Sequence, residues 1–339
     1  MGVDLWGRPL RTELGGDVTA LAFAPDGATL AVADTTHDVQ LWDVAAGRRA
    51  GRPLTGLDAG VGRLAWSGDG RLLAASVWWD GEIEVWDVAA GVSTGRRPAA
   101  PLRERWPAGG ELMCPVEAMA FDAGGALRVA LQPTPDYGTL EDEDDPFTRP
   151  PEDELWLGDW YGGDAFEVLR PAGEVAAFGT GGRLLAARDP EGGMRLWDTA
   201  ARQTLARWAD EPLRNLTAVA LAPDGRVAAC RSSGGGVLLW EPLRFETPGP
   251  AHAAAFSPDG ALLALGCPGG VVGLLDTATG RAVGAPLAVP TRGAPCVAFS
   301  PDGRFLAAGG SAVVPLYPDE PPAGGDAVVL WTLPPAGDR

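Results

Sequence analysis

Between Val18 and Thr55, apolar and polar positions follow an order that recurs along the chain. The run Val18 to Ala24 alternates small and large apolar residues and predicts a strand. Pro25-Asp26-Gly27 follows as a tight turn, then a second apolar run from Thr29 to Ala33. Pro25 presets the backbone for the first central turn position, and Gly27 supplies the left-handed conformation that closes such a hairpin with a bulge. A polar stretch leads into a third run, Val39-Gln40-Leu41-Trp42-Asp43, which Gly47 ends. Gly51-Arg52-Pro53-Leu54 predicts a fourth, weaker strand. Four short strands separated by turn residues in about 40 residues is a repeat-sized unit.

The turn recurs as Gly68-Asp69-Gly70, Ala123-Gly124-Gly125, Thr180-Gly181-Gly182, Pro223-Asp224-Gly225, Pro258-Asp259-Gly260 and Pro301-Asp302-Gly303. The third-strand marker recurs as Val85-Trp86-Asp87, Leu196-Trp197-Asp198, Leu239-Trp240-Glu241, Leu275-Asp276 and Leu330-Trp331-Thr332. In the third unit the counterpart is Leu155-Trp156 or Trp160. The units start near residues 18, 61, 116, 174, 216, 251 and 295. The fifth is short; the third and seventh are long. Small residues expected on the inner strands, such as Ala20, Ala22 and Ala24 and the pairs Ala74-Ala75, Ala186-Ala187 and Ala307-Ala308, suit the crowded axis of a tapered ring. Large Trp residues suit the wide part.

These turns and Trp-Asp markers resemble those of WD40-repeat proteins over nearly the whole sequence. The resemblance implies an all-β chain, a seven-bladed β-propeller of four-stranded blades forming one domain over residues 1–339. It also implies a ring closed by the N-terminal strand, with residues 3–14 completing the last blade. Gly7-Arg8-Pro9-Leu10 echoes Gly51-Arg52-Pro53-Leu54 and fits that role, because the last repeat ends at Val328-Val329-Leu330-Trp331 before a fourth strand of its own. In the family the links between blades and the second-to-third strand turns lie on the top face. One departure stands out. The Gly-His pair expected before each first strand is absent, since the chain has only His37 and His252. The buried hydrogen-bond network that this histidine supports should therefore be missing, leaving packing to hold the blades.

Composition narrows the function. Hydrophobic residues make up 46% of the chain, enough for a core, and the formal net charge is −18. Such a charge argues against nucleic acid and against an anionic membrane surface, both of which need clustered cations. Every basic residue is Arg, and Ile83 and Asn215 are the only residues of their types, which points to a GC-rich, bacterial genome. The amino terminus lacks the layout of a signal peptide. Four cysteines without paired spacing, Cys114, Cys230, Cys267 and Cys296, fit a reducing cytoplasm. Cys267 and Cys296 are placed to approach one another between blades six and seven, as buried small hydrophobes.

The strongest site candidates cluster on the expected top face. Trp78 and Trp79 sit at the second-to-third turn of blade 2, and Arg103, Arg105 and Trp106 in the link to blade 3. The insertion in the third unit adds Tyr137 and the acidic run containing Asp142 and Asp144. Aromatics beside arginines are the usual make-up of a binding hot spot, and carboxylates steer basic partners. The bland alternatives are packing residues and a solvated acidic loop. No catalytic or metal-binding motif appears, so no cofactor and no metal are expected. The sequence favours a non-catalytic, monomeric scaffold for a peptide or protein partner, with the acidic run suited to a basic one. The alternative is an enzyme or small-ligand propeller with Arg188, Arg231 and His252 at the mouth of the central channel.

Overall fold

The computed structural model describes residues 7–11, 16–77, 81–98, 112–113, 115–132, 134–135, 155–159, 166–169, 176–188, 193–208, 216–231, 237–240, 244–245, 250–291, 293, 295–310 and 327–335. Among them the regular elements are all strands, and they form seven antiparallel four-stranded sheets and one two-stranded ribbon. Blade 1 shows the plan. Val18–Phe23 is the inner strand, followed by Thr29–Asp34, Val39–Asp43 and the short outer strand Arg48–Arg49. The other inner strands are Val61–Trp66, Val116–Phe121, Ala176–Phe178, Leu216–Leu221, Ala253–Phe256 and Cys296–Phe299. Each contacts the next, and the seventh contacts the first, so the inner strands form a closed ring.

The first turn of each blade is built the same way despite its varied sequence. In all seven, the last turn residue donates its N–H to the carbonyl three residues earlier, as Gly27 does to Ala24 at 2.9 Å and Gly303 to Ser300 at 2.9 Å. Gly27 has φ 67°, the left-handed conformation that a residue with a Cβ adopts only at a cost. Where the turn contains Asp, its Oδ1 accepts the N–H two residues on, as Asp26 does from Ala28 at 2.8 Å. In blades 2, 6 and 7 a buried serine adds a clamp. Ser300 donates to Asp302 at 2.6 Å and accepts from the Phe305 N–H at 2.9 Å. Ser67 and Ser257 do the same.

The core consists of seven apolar layers, one between each pair of neighbouring blades. The marker Trp supplies the bulk. Trp42, Trp86, Trp197 and Trp331 each pair with a second-strand leucine, Leu30, Leu73, Leu185 and Leu306. Each packs into the layer shared with the preceding blade. The paired alanines lie on second strands and are fully buried, so the tight part of the wedge extends beyond the inner strand. In blade 3 the equivalent leucine is Leu127, which follows Phe121 in pairing as Leu30 follows Phe23. Trp156 instead pairs with Leu131 at the other end of the strand. It is buried against blade 2 but does not hold the marker position, and Trp160 lies outside the described residues.

The ring closes through Gly7–Arg11, which pairs with Ala327–Thr332. Leu10 faces Val328, three residues before the marker Trp331, and Leu54 bridges Val39, three residues before Trp42. The echo between these segments therefore reflects the same place in two blades. Trp42 Nε1 is buried without a hydrogen-bond partner, whereas Trp86 Nε1 donates to the Thr55 carbonyl at 3.3 Å.

Candidate functional site

Antiparallel pairing sends every inner strand in the same direction. The links between blades and the second-to-third turns therefore emerge on one face, the top. In blade 2, Val61 at the start of the inner strand pairs with Val77 at the end of the second, just before Trp78. Across the link to blade 3, Leu112–Met113 pairs with Thr134–Pro135, which opens the insertion of blade 3. This ribbon lies outside the seven blades. It ties the C-terminal end of the link to the first residues of the insertion. Below it, exposed Arg63 of blade 2 donates Nε to the Glu117 carbonyl of blade 3 at 3.1 Å. Trp78, Trp79, Arg103, Arg105, Trp106, Tyr137, Asp142 and Asp144 themselves lie outside the described residues. The topology gives the anchors of the three segments that carry them, and those anchors belong to two adjacent blades on one face.

The channel-mouth candidates are arranged differently from the sequence expectation. Arg188 stands three residues after Leu185, the partner of Trp197. Arg231 stands four residues after Val227, the partner of Trp240. The two arginines are thus one register step apart and not at equivalent positions, because the second strand of blade 5 runs one residue further before its Arg. Successive strand residues point to opposite faces, so a single step matters. His252 precedes the inner strand of blade 6 and donates its backbone N–H to the Gly266 carbonyl at 2.9 Å. Burial pulls its imidazole pKa down, favouring the neutral ring. His37 lies in the second-to-third turn of blade 1 with φ 78°.

Beside His37 the structure shows a charge feature that no motif announced. Asp34 is fully buried at the top of blade 1. Its Oδ1 accepts from the Thr36 N–H at 2.7 Å and the Thr36 hydroxyl at 2.5 Å, while Oδ2 has no hydrogen-bond partner. Burial, and then the Asp34 charge, raise the pKa of Asp38. The cysteines also pack otherwise than expected. Cys267 shares the layer between blades 5 and 6 with Cys230, whereas Cys296 belongs to the layer between blades 7 and 1. Cys230, Cys267 and Cys296 are free thiols, while Cys114 lies outside the described residues, and burial pushes Cys230 and Cys296 up to about 12. Such thiols stay protonated near neutral pH and are poor nucleophiles. Among the described residues no group of three His, Cys, Asp or Glu side chains is placed to hold a metal ion. No helix among them is long and apolar enough to cross a membrane.

The family model for the WD domain, G-beta repeat (WD40) matches residues 7–43, 51–87 and 291–314. By sequence, no curated protein matches the chain. Among solved structures, the β-propeller domain of Cps50 (Swd1) from Myceliophteria thermophila is similar, with a TM-score of 0.69 over 97% of this chain and 100% of that one. The two are 17% identical, a likeness of fold alone. Repeated turns, Trp-filled layers, the closed ring and these matches agree: the chain is a β-propeller that carries WD40 repeats, a fold commonly used as a protein-interaction scaffold.

Proposed function

We propose that this propeller is a non-catalytic scaffold that holds a peptide or protein partner on its top face, in the sector of blades 2 and 3. The observation that carries the reading is the ribbon of Leu112–Met113 with Thr134–Pro135. It anchors the link bearing Arg103, Arg105 and Trp106 beside the insertion bearing Tyr137, Asp142 and Asp144. The turn bearing Trp78 and Trp79 leaves the adjacent blade on the same face. Trp and Arg bury large contact areas in hot spots, and the acidic run Glu141 to Asp145 favours a basic partner. The net charge of −18 works against nucleic acid and anionic membranes as alternatives. The setting in this reading is the bacterial cytoplasm, with the propeller a monomer; free thiols and an Arg-only basic set are its support.

The test is capture of the partner from the native cell, followed by titration of the purified pair. Trp79→Ala or Trp106→Ala should cost about 2 kcal/mol or more of binding while leaving the melting temperature nearly unchanged. Neutralising Glu141 to Asp145 should slow association, and less so at high salt. Variants that lose stability yet bind normally once folded would make these residues packing elements. Partner binding lost instead on substituting Arg188 would move the site to the channel.

A further inference from the structure

Compared with blades 1, 2 and 4, blade 6 lacks two side chains on the same side of its third strand. At the marker position, where Trp42, Trp86, Trp197 and Trp331 pair with a second-strand leucine, blade 6 has Leu275 opposite Leu263. Two residues earlier, blades 1, 2 and 4 carry Gln40, Glu84 and Arg195; blade 6 carries Gly273 opposite Leu265. Alternate strand residues share a face, so both losses fall on the face turned toward blade 5. The outer strand does not fill the gap. It touches the third strand at Ala282 and again at Leu287–Ala288, with Gly284, Ala285 and Pro286 between. The result is a cleft of about 390 Å³ lined by Leu265, Cys267, Val271, Gly273, Leu275 and Pro286, among others.

Gly273 is not required by the backbone. A Cβ built there meets nothing within 4 Å, and its φ is not in the left-handed region. Gly266 on the neighbouring strand is the opposite case, since a Cβ there would run into the Pro295 carbonyl. The cleft is therefore not a by-product of backbone crowding. It also does not reflect a loose joint. At the bottom of the same two blades, Arg226 donates to the Thr277 hydroxyl at 3.0 Å and to the Gly260 carbonyl at 2.7 Å.

We propose that this cleft binds a small neutral aromatic molecule of indole size, independently of the partner site on the top face. The chemical class follows from blades 1, 2, 4 and 7, where an indole ring stands at the position that Leu275 holds here. Size and lining agree, because ligand pockets of about 300–1,000 Å³ with mostly apolar walls hold molecules of this kind. The lining offers no charged side chain, so affinity rests on apolar burial, and a charged ring substituent gains nothing from the walls.

Indole itself is the probe, titrated into the full chain and followed by ligand-observed NMR. Saturable binding is expected with Kd on the order of 0.1–1 mM, as a ligand of so few atoms allows. Leu275→Trp and Gly273→Leu each fill the cleft and should weaken binding at least about tenfold without lowering the melting temperature. Gly273→Leu decides the matter if the larger ring is not accommodated. Saturating indole should also slow alkylation of Cys267, the half-buried thiol in the lining, several-fold by peptide mass spectrometry. Absence of saturable binding, or equal affinity in a folded Gly273→Leu variant, would overturn the proposal.

Discussion

Trp66 Nε1 donates a hydrogen bond to the carbonyl of Ala22 at 3.1 Å, joining the inner strand of blade 2 to that of blade 1. Trp66 pairs with Leu73 just as Phe23 pairs with Leu30, so it holds a core position of the repeat and adds a polar tie. Trp66→Phe keeps the ring and removes the donor, leaving the Ala22 carbonyl without it. The expected cost is about 1 kcal/mol, measured as a lowered denaturant midpoint.

Ring closure depends on a strand from the other end of the chain. Removing the residues before Gly16 would strip Gly7–Arg11 from Ala327–Thr332 and leave an apolar edge of Val328, Val329, Leu330 and Trp331 unpaired. Such an edge invites pairing with other copies. The truncated protein should melt earlier and aggregate on concentration; light scattering and a thermal melt read both effects. A melt unchanged from the full chain would mean that the closure contributes little.

Two glycines form a matched pair of opposite expectation. Gly310 has φ 59°, and a Cβ there would run into the backbone of Val18, where blade 7 meets blade 1. Gly310→Ala should cost more than about 2 kcal/mol through clash and backbone strain. Gly273→Ala should be neutral or stabilising by about 0.5 kcal/mol, because it removes unfolded-state freedom without a clash. Denaturant midpoints of the two variants provide the check.

Stability should fall in acid, with a defined contribution from the turn carboxylates. Arg183 donates to Asp198 Oδ2 at 2.8 and 2.9 Å, and the Ala200 and Ala201 N–H groups donate to Oδ1 at 3.0 and 2.9 Å. The Arg183 hydrogen bond, then the Ala201 N–H, hold the Asp198 carboxyl below its usual pKa. Asp87 is lowered by the Ala90 N–H and then Arg71, and Asp276 by the Thr279 hydroxyl. With folded pKa values below the unfolded ones, the unfolded chain binds more protons in acid. This stabilisation is present above about pH 4 and is lost as pH falls through the folded values. Asp38, raised by burial, works in the opposite direction. Melting temperatures across the acid range should drop less steeply in Asp198→Asn than in the parent chain. An identical acid slope would remove Asp198 from the account.

Much of the architecture was legible before any tertiary contact was known, because each repeat carries its own local instructions. The glycines and Asp residues of the turns bond within a few residues of themselves. The alternation of Val18 to Phe23 is a property of a single strand. Even the shared role of Leu10 and Leu54 could be read from Gly-Arg-Pro-Leu, since equivalent blades demand equivalent sequences.

Other features depended on how strands meet. A Trp near the expected position could not reveal that Trp156 faces Leu131 rather than Leu127, for pairing register is set across strands. Similarly, Arg188 and Arg231 look equivalent by eye, yet one residue separates their registers. That Asp34 Oδ2 and Trp42 Nε1 are buried without a hydrogen-bond partner is a property of the folded chain alone. The cleft on blade 6 arises where Leu275 and Gly273 share a face against blade 5. Sequence by itself determined the repeat, its turns and the closing strand, because those are short-range and periodic. Only the tertiary structure decided which side chains share a layer and where a layer is left unfilled, because packing sums residues that lie far apart in the chain.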